Sequence, residues 1–374
     1  MKRVYLDYAA AAPVTPVARR AFLEALSAYG NPASAHEEGR RAKAVLEDAR
    51  TSIARLAGAK ASEVVFVSGA TEGNALAILG HARAANAASI LYHPGAHASV
   101  AKAAAALCSQ GVDARPLALE DGAPALATLK EASATLVSLE AVSPETGRRF
   151  DTRAVRHALP DGAILHVDAS QLPLVESFER TRLGADLMTL DAQKVGGVRG
   201  IGALIRSSRV PLAPLYEGGG QEGGYRSGTP APALAAAFAA ALEETARTRA
   251  AFSERAARMR AALIARVERD VPSVLINGES KTAPHIVSFS FLGLDTDYLQ
   301  ALLDKEGFAV GTKSACETDS ADGARSVFAD SSDARRAAST LRVSWGRETK
   351  ESELRAFSGA LVRAIRFLEA NTLY

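Results

Sequence analysis

Short apolar runs of three or four residues recur through the first two thirds of the chain, and segments with helical patterns separate them. Runs of this length without alternating polar positions are typical of strands that are buried on both faces of a sheet. Such strands, alternating with helices, predict an α/β fold with a mostly parallel sheet. The runs are residues 64–67, 90–92, 136–139, 164–167, 187–190 and 203–205.

The last third of the chain has a different pattern. An alanine-rich region from Pro232 to about Glu268 predicts helix with interruptions, and shorter apolar runs and two further helices follow it. We therefore predict a large domain at residues 14–250 and a smaller α+β domain formed by residues 1–13 and 251–374. Within the smaller domain, Glu317 to Ser332 is rich in Asp, Ser and Ala and is expected to be a polar, mobile loop.

Length, charge and cysteine content exclude several classes of protein. The 374 residues allow two domains, and 44 basic against 42 acidic residues give a net charge of +2. This balance gives no strong signal for nucleic acid or for direct membrane binding. The first residues form no apolar leader, and no later segment has the length and apolarity of a membrane span. The two cysteines, Cys108 and Cys316, form no disulfide framework, so we expect a cytoplasmic protein.

One lysine lies between a strand and a glycine-rich turn. Lys194 follows the apolar run 187–190, and glycines at 196, 197 and 200 precede the next strand. Glycines allow the backbone to approach a bulky ligand closely, because no Cβ intervenes. A lysine here could neutralise a phosphate or form a Schiff base, and a solvated lysine in a hairpin is the simpler alternative. A dinucleotide-binding turn is excluded, because a strand follows the glycines.

Polar residues also follow other predicted strands. Free backbone N–H groups at Ala70 and the hydroxyl of Thr71 could bind a phosphate, although a plain helix cap is the simpler explanation of this motif taken alone. Asp168 ends another strand and Gln171 follows it; the aspartate could be a cap or the partner of a protonated heterocycle nitrogen. The glycine-rich segment 217–229 indicates a loop that is mobile or closely approached.

In combination and in this order, these motifs resemble those of the cysteine desulfurases, which belong to the class V aminotransferases and are fold type I pyridoxal-phosphate enzymes. The motifs that carry the resemblance are Tyr5–Ala10, Gly30–Pro32 with Ser34, His36 and Gly39–Arg40, Ser68–Glu72, Glu145–Gly147, His166–Ala169 with Gln171, Lys194, Gly218–Glu222, Arg226–Thr229, Ser314–Cys316 and Leu341–Ser344. The resemblance covers nearly the whole chain. It implies a large domain with a seven-stranded, mostly parallel sheet and a smaller α+β domain.

The resemblance also implies a role for particular residues. Lys194 matches the lysine that binds pyridoxal 5'-phosphate covalently, and His97 matches the histidine that stacks on its ring and takes part in moving protons. Asp168 matches the partner of the ring nitrogen, and Gln171 matches an amide near the ring hydroxyl. The other positions that match cofactor-binding positions of the family are Ala70, Thr71, Gln193 and Thr229.

The resemblance implies a substrate and an assembly as well. Arg342 matches the arginine that binds the carboxylate of L-cysteine, and Asn31 belongs to the same substrate site. Thr229 would reach the phosphate in a neighbouring subunit, so a homodimer with shared active sites is implied.

Cys316 points to the reaction. Its polar surroundings suit a thiolate that attacks the sulfur of L-cysteine, whereas Cys108 is interpreted as helix packing. The products would be L-alanine and a Cys316 persulfide, whose sulfur passes to an acceptor protein in iron–sulfur cluster assembly or in tRNA, DNA or cofactor thiolation. No metal is implied. The alternatives are another pyridoxal-phosphate lyase or transaminase, and a catalytically weakened sulfur-relay or scaffold member.

The chain departs from the family pattern near the expected cofactor. Asp191 and Gln193 stand where the family has serine and histidine, and Asp191 is expected to weaken phosphate binding unless it turns away. Ser143–Pro144 replaces two asparagines, one of which normally lies near cofactor and substrate. Glu217 replaces a common histidine, and Glu317, which follows Cys316, is expected to raise the pKa of its thiol.

Overall fold

The computed structural model describes residues 3–130, 133–278, 281–312 and 324–371. The β-strands in these ranges are β1 (Val4–Tyr5), β2 (Val64–Val67), β3 (Ser89–Tyr92), β4 (Asp113–Pro116), β5 (Leu119–Glu120), β6 (Ala123–Pro124), β7 (Leu136–Glu140), β8 (Ile164–Asp168), β9 (Leu187–Asp191), β10 (Gly202–Arg206), β11 (Leu275–Asn277), β12 (Ile286–Ser290), β13 (Phe308–Ala309) and β14 (Thr340–Ser344). The α-helices are α1 (Pro16–Ala25), α2 (Glu37–Leu56), α3 (Ala70–Ala75), α4 (His81–Ala85), α5 (Ala98–Cys108), α6 (Leu126–Lys130), α7 (Thr152–Ala158), α8 (Pro232–Asp270), α9 (Thr296–Lys305), α10 (Arg325–Ser331), α11 (Ala334–Ala338) and α12 (Glu351–Asn371).

A seven-stranded sheet forms the centre of the larger part, in the order β2-β10-β9-β8-β7-β3-β4. Strand β10 is antiparallel to both of its neighbours, and the pairs from β9 to β4 are all parallel. Six strands therefore run in one direction, and their carboxyl ends meet at one edge of the sheet. The predicted α/β fold with a mostly parallel seven-stranded sheet is confirmed.

Apolar clusters cover both faces of this sheet. On β10, Ala203 and Ile205 belong to the cluster that contains α2 and the first half of α8, whereas Leu204 belongs to the cluster under α5. Successive side chains of a strand point to opposite faces. Burial on both sides therefore explains why these strands are continuous apolar runs.

A second core lies in the C-terminal part. The antiparallel sheet β11-β12-β14 packs with α9 and α12 around fully buried Phe289, Trp345 and Phe357. Leu6 joins the same cluster, close to the short parallel pair β1-β13. This separate core supports the division into residues 14–250 and residues 1–13 with 251–374, which stays a prediction.

Helix α8 is longer and more regular than the sequence pattern predicts. Its 39 residues form one helix, so the expected interruptions between Pro232 and Glu268 are wrong. No glycine or proline follows Pro232 within the helix, and its many alanines favour an unbroken helix. Phe238 packs in the core of the large sheet and Phe252 in the C-terminal core. Among the described residues, no helix is both long and apolar enough to cross a bilayer.

The expected loop at Glu317–Ser332 is wrong in its second half. Residues 325–331 form α10, because Val327 packs with Ala324 and Ala337 and because Ser326 is buried. Residues 317–323, together with Cys316, lie outside the described residues.

One buried histidine makes folding stability depend on pH. His285 is 1% exposed, its ring lies 5.7 Å from that of Phe252, and neither ring nitrogen has a hydrogen-bond partner among the described groups. Burial, assisted by the positive charge of Arg260, lowers the pKa of His285 to about 4. The folded protein therefore keeps the ring neutral, while the unfolded chain binds a proton below about pH 6.5.

We predict that the free energy of unfolding falls as the pH falls from about 6.5 to about 4, and that His285→Phe removes part of this fall. The contribution of one such histidine is about 2 kcal/mol between pH 7 and pH 5. Urea unfolding at the two pH values measures it, with exposed His157→Gln as the control. Equal pH dependence in wild type and His285→Phe would contradict the assignment.

Candidate active site

A cavity of about 270 Å³ lies at the carboxyl-end edge of the seven-stranded sheet. Its walls come from the ends of β2, β7, β8 and β9, from the N-terminal segment and from β14. The lining residues are Ala9, Ala10, Ala70, Thr71, His97, Glu140, Val142, Pro144, Asp168, Ser170, Gln171, Asp191, Gln193, Lys194 and Arg342. Most of the predicted site residues are therefore brought together.

Lys194 is presented by a single 3₁₀ turn that directly follows β9. Its Nζ donates hydrogen bonds to the carbonyl oxygens of Ala9, at 2.9 Å, and Ala10, at 2.7 Å. The turn continues through Gly196, which has a φ of +82° and lies where a Cβ would be 2.6 Å from Thr15 Cγ2. A side chain at this position is therefore strained, and the glycine allows the turn to pack on the N-terminal segment.

Asp168 ends β8 and its carboxylate is held by two donors. Asn74 Nδ2 lies 2.7 Å from Oδ2, and the backbone N–H of Ser170 lies 3.0 Å from Oδ1. Beneath it, fully buried His166 contacts Ser138 Oγ and Thr189 Oγ1, and burial lowers the pKa of His166 to about 4. The neutral imidazole does not neutralise Asp168, so this carboxylate can pair with a protonated ring nitrogen.

His97 and Gln171 both line the cavity, and each has a hydrogen-bond partner beside it. The Nδ1 atom of His97 accepts the backbone N–H of Ser99 at 3.2 Å and thereby caps α5. Gln171 Nε2 donates to Ala9 O at 2.8 Å, so the same carbonyl receives both the amide and Lys194 Nζ. The N-terminal segment is thus attached to the two strand ends that carry Gln171 and Lys194.

Arg342 brings a cation into the cavity from β14. It is 3% exposed; its Nη2 lies 2.7 Å from Asp7 Oδ1 and its Nη1 donates to Pro144 O at 3.1 Å. Its backbone exchanges two hydrogen bonds with Gly311, and a Cβ at Gly311 would lie 2.7 Å from Arg342 Nη2. A planar guanidinium held in this way suits the binding of a carboxylate.

Asp191 does not turn away from the predicted phosphate site. Its Oδ2 accepts the backbone N–H of Ala70, the first residue of α3, at 3.1 Å. Its Oδ1 accepts the backbone N–H of Gln193 at 3.0 Å, and Gln193 Nε2 lies 3.3 Å from Oδ2. A buried carboxylate therefore occupies a donor that a phosphate would otherwise use.

Three predicted site residues are not part of the described cavity. Asn31 is exposed and its Oδ1 accepts the N–H of Ala33, and Thr229 is exposed in the glycine-rich loop. Cys316 lies outside the described residues. The roles of these three residues stay predictions. The interpretation of Cys108 as helix packing is wrong: it is exposed at the end of α5, and its Sγ donates to Ala114 O at 2.9 Å.

Sequence reasoning missed three residues of the site. Asp7 and Asn74 are the partners of Arg342 and Asp168. Asp7 lies within the motif Tyr5–Ala10, and Asn74 lies two residues after the motif Ser68–Glu72. Glu140 is the third, a carboxyl group that lines the cavity at the end of β7. Its signal is a single acidic residue in an otherwise apolar run.

The model of the Aminotransferase class-V family matches residues 4–357. The chain therefore belongs to the class-V aminotransferase family. It is 31% identical to the mitosomal cysteine desulfurase of Encephalitozoon cuniculi, over 100% of this chain and 89% of the relative. It is 32% identical to the cysteine desulfurase IscS of Vibrio vulnificus, over 94% of this chain and 90% of the relative.

Solved structures agree with this assignment. A NifS-like protein superposes with a TM-score of 0.90 at 26% identity, over 98% of this chain and 100% of that chain. The resemblance to the cysteine desulfurases is confirmed. Pyridoxal phosphate is confirmed as the cofactor, since enzymes of this family depend on it.

The donor set of the cavity fits this cofactor. Lys194 supplies the amine, Asp168 the partner for the ring nitrogen, and His97 an imidazole beside them. The start of α3 offers the N–H groups and the Thr71 hydroxyl to a phosphate. Only Asp191 is unusual, since it must share the N–H of Ala70 with the phosphate.

We predict that Asp191→Ser raises the affinity for pyridoxal phosphate by about tenfold or more, because two negative charges no longer compete for one donor. Serine can still accept the N–H of Ala70 when the site is empty. Absorbance titration of the apoprotein measures the change, and pyridoxal, which has no phosphate, is the matched control ligand. Equal gains for both ligands would contradict a charge effect on the phosphate.

Proposed function

We propose that this protein is a pyridoxal-phosphate-dependent cysteine desulfurase that converts L-cysteine to L-alanine and leaves a persulfide on Cys316. The observation that carries the proposal is one cavity that joins Lys194 and Asp168 to Arg342, whose backbone pairs with the segment leading to Cys316. The names of the relatives and the family motifs support the same activity.

Arg342 would bind the carboxylate of the substrate. Asp7 occupies one guanidinium nitrogen and Pro144 O another, while Nε has no partner among the described groups. The carboxylate of L-cysteine would bind this cation and leave its α-carbon near Lys194 Nζ. The cofactor, when bound, withdraws electrons from the α-carbon. Lys194 would then take the α-proton, and His97 lies in position to assist proton transfer.

Chain geometry supports Cys316 as the nucleophile. Gly311 is fixed by its two backbone hydrogen bonds to Arg342, and the five residues from Gly311 to Cys316 can span at most about 17 Å. The Cys316 thiolate would attack the sulfur of the substrate, so that an S–S bond forms and the C–S bond breaks. The electron pair of the broken C–S bond stays with the substrate, whose β-carbon takes a proton. Lys194 would return a proton to the α-carbon, and the product leaves as L-alanine.

We predict that Cys316→Ser abolishes the release of alanine and sulfide from L-cysteine in the presence of a reductant, by at least about 1,000-fold. The visible absorbance of the bound cofactor remains, since Lys194 and Asp168 are untouched. Cys108→Ser is the matched control and keeps full activity. Sulfide release that survives in Cys316→Ser would overturn the assigned nucleophile, and conversion of another amino acid instead would favour a different lyase or transaminase.

We also propose a homodimer in which Thr229 serves the phosphate site of the partner subunit. Thr229 is exposed and outside the cavity of its own chain, although its motif belongs to the cofactor site of the family. Asn31 is also exposed, in a loop, and we propose that it likewise serves the substrate site of the partner subunit.

Mixed dimers test the shared site. Lys194→Ala and Thr229→Ala chains are each expected to be impaired alone. A mixed dimer should recover about half of the wild-type activity, because one of its two sites then has both an intact Lys194 and an intact Thr229. Activity and cofactor content of purified mixed dimers measure this. Failure to recover either would mean that Thr229 acts within its own chain.

The persulfide sulfur would pass to an acceptor protein, in iron–sulfur cluster assembly or in tRNA or cofactor thiolation. Transfer to any of these acceptors requires the same persulfide on Cys316. A nucleophilic Cys316 must stay reduced, which supports a reducing compartment such as the cytoplasm.

A further inference from the structure

Glu140 is a carboxyl group without an evident structural task. It is the last residue of β7, it is 3% exposed, and it lines the cavity. Neither of its carboxyl oxygens has a hydrogen-bond partner among the described groups. Burying an unpartnered carboxyl group destabilises a fold, and an apolar side chain would suit this apolar strand better. The arrangement therefore indicates a partner that binds in the cavity.

Burial and the neighbouring negative charges both favour the neutral form of the Glu140 carboxyl group. Burial raises the pKa of Glu140 well above its usual range, and the negative charges of Asp168, Glu145 and Asp330 raise it further. Asp168 is instead held by Asn74 and the N–H of Ser170, which both stabilise a carboxylate. A neutral carboxyl group carries an O–H donor, which a carboxylate does not.

The register of the sheet places this donor beside the ring-nitrogen site. Glu140 is directly opposite Asp168 in the parallel pair β7-β8, so both side chains extend from the same face of the sheet. In pyridoxal phosphate the phenolic oxygen, here called the ring oxygen, is bonded to the second carbon from the ring nitrogen, so a group beside the ring-nitrogen site can reach it. The chain has Ser143–Pro144 where the family places an asparagine near the cofactor. Pro144 has no side-chain donor, and Ser143 is not among the residues that line the cavity, since its Oγ accepts the backbone N–H groups of Glu145 and Thr146.

We propose that Glu140 is a cofactor-binding residue of this chain, which donates a hydrogen bond from its neutral carboxyl group to the ring oxygen of pyridoxal phosphate. It takes over the donor that Pro144 lacks. The inference rests on the cofactor site of the proposed function, and it concerns cofactor binding without any step of catalysis.

Two variants of Glu140 separate this role from a structural one. Glu140→Gln keeps a donor of similar size, and Glu140→Met removes it. We expect the affinity of the apoprotein for pyridoxal phosphate, measured by absorbance titration without substrate, to fall about tenfold in Glu140→Met and to stay within about threefold of wild type in Glu140→Gln. The apoprotein of Glu140→Met should melt at a higher temperature, because the unpartnered carboxyl group is gone.

A control residue and a cofactor analogue sharpen the test. Glu63 is also buried but accepts the backbone N–H of Lys60, so Glu63→Met should lower the melting temperature and leave the cofactor affinity unchanged. With 3-deoxypyridoxal phosphate, which lacks the ring oxygen, wild type and Glu140→Met should bind equally well.

Each result decides between the two roles. A loss in Glu140→Met that persists with the deoxy analogue would overturn the ring oxygen as the partner, and unchanged affinity for pyridoxal phosphate would overturn the role altogether. Equal losses in Glu140→Met and Glu140→Gln would also overturn it, because the amide keeps the donor. A wild-type protein that binds no pyridoxal phosphate at all would instead count against the proposed function itself.

Discussion

The hydrogen-bonded ladder of the parallel strands determines which side chains meet at the active site. Each strand that ends at the shared edge delivers one or two polar residues, and the register between strands sets their neighbours. The β7-β8 pair puts Glu140 opposite Asp168, and the β8-β9 pair puts Asp168 opposite Thr189. A shift of one residue in any strand would turn these side chains to the other face. Close packing of the side chains on both faces opposes such a shift.

The charges in the cavity are stabilised mainly by backbone groups. Carbonyl oxygens of Ala9 and Ala10 hold Lys194, and backbone N–H groups hold the carboxylates of Asp168 and Asp191. Partners of this kind are fixed by the fold before a ligand arrives. Glu140 is the exception, since no group of the protein within the described segments satisfies its carboxyl oxygens.

Much of the fold and of the site is predictable from the sequence, for physical reasons. Buried strands must be apolar, and the polar residues that directly follow them must lie at the edge where the strands end, so Lys194 and Asp168 are identifiable. The direction in which Asp191 points is not predictable, since it depends on a backbone N–H that is distant in sequence.

The boundaries of helices are harder to predict from the sequence, for a different reason. Helix α8 contains many alanines and no glycine or proline after Pro232, so its composition allows one unbroken helix, and packing against two separate cores stabilises it. The formation of α10 depends on Val327 contacting Ala337, which the local composition does not indicate. The burial of Glu140 likewise appears only when the sheet is assembled.

The segment that carries Cys316 is attached to the fold at both ends. On one side Gly311 pairs with Arg342; on the other, the N–H of Ser326 donates to Glu145 Oε2 at 2.7 Å and its hydroxyl donates to Gly95 O at 2.9 Å. Because Cys316 is five residues from Gly311, chain length limits its distance from that attachment to about 17 Å. The effective concentration of a thiol tethered in this way depends on the tether and not on how much protein is present. In the proposed reaction, an acceptor protein would therefore have to collect the sulfur within this distance of Gly311.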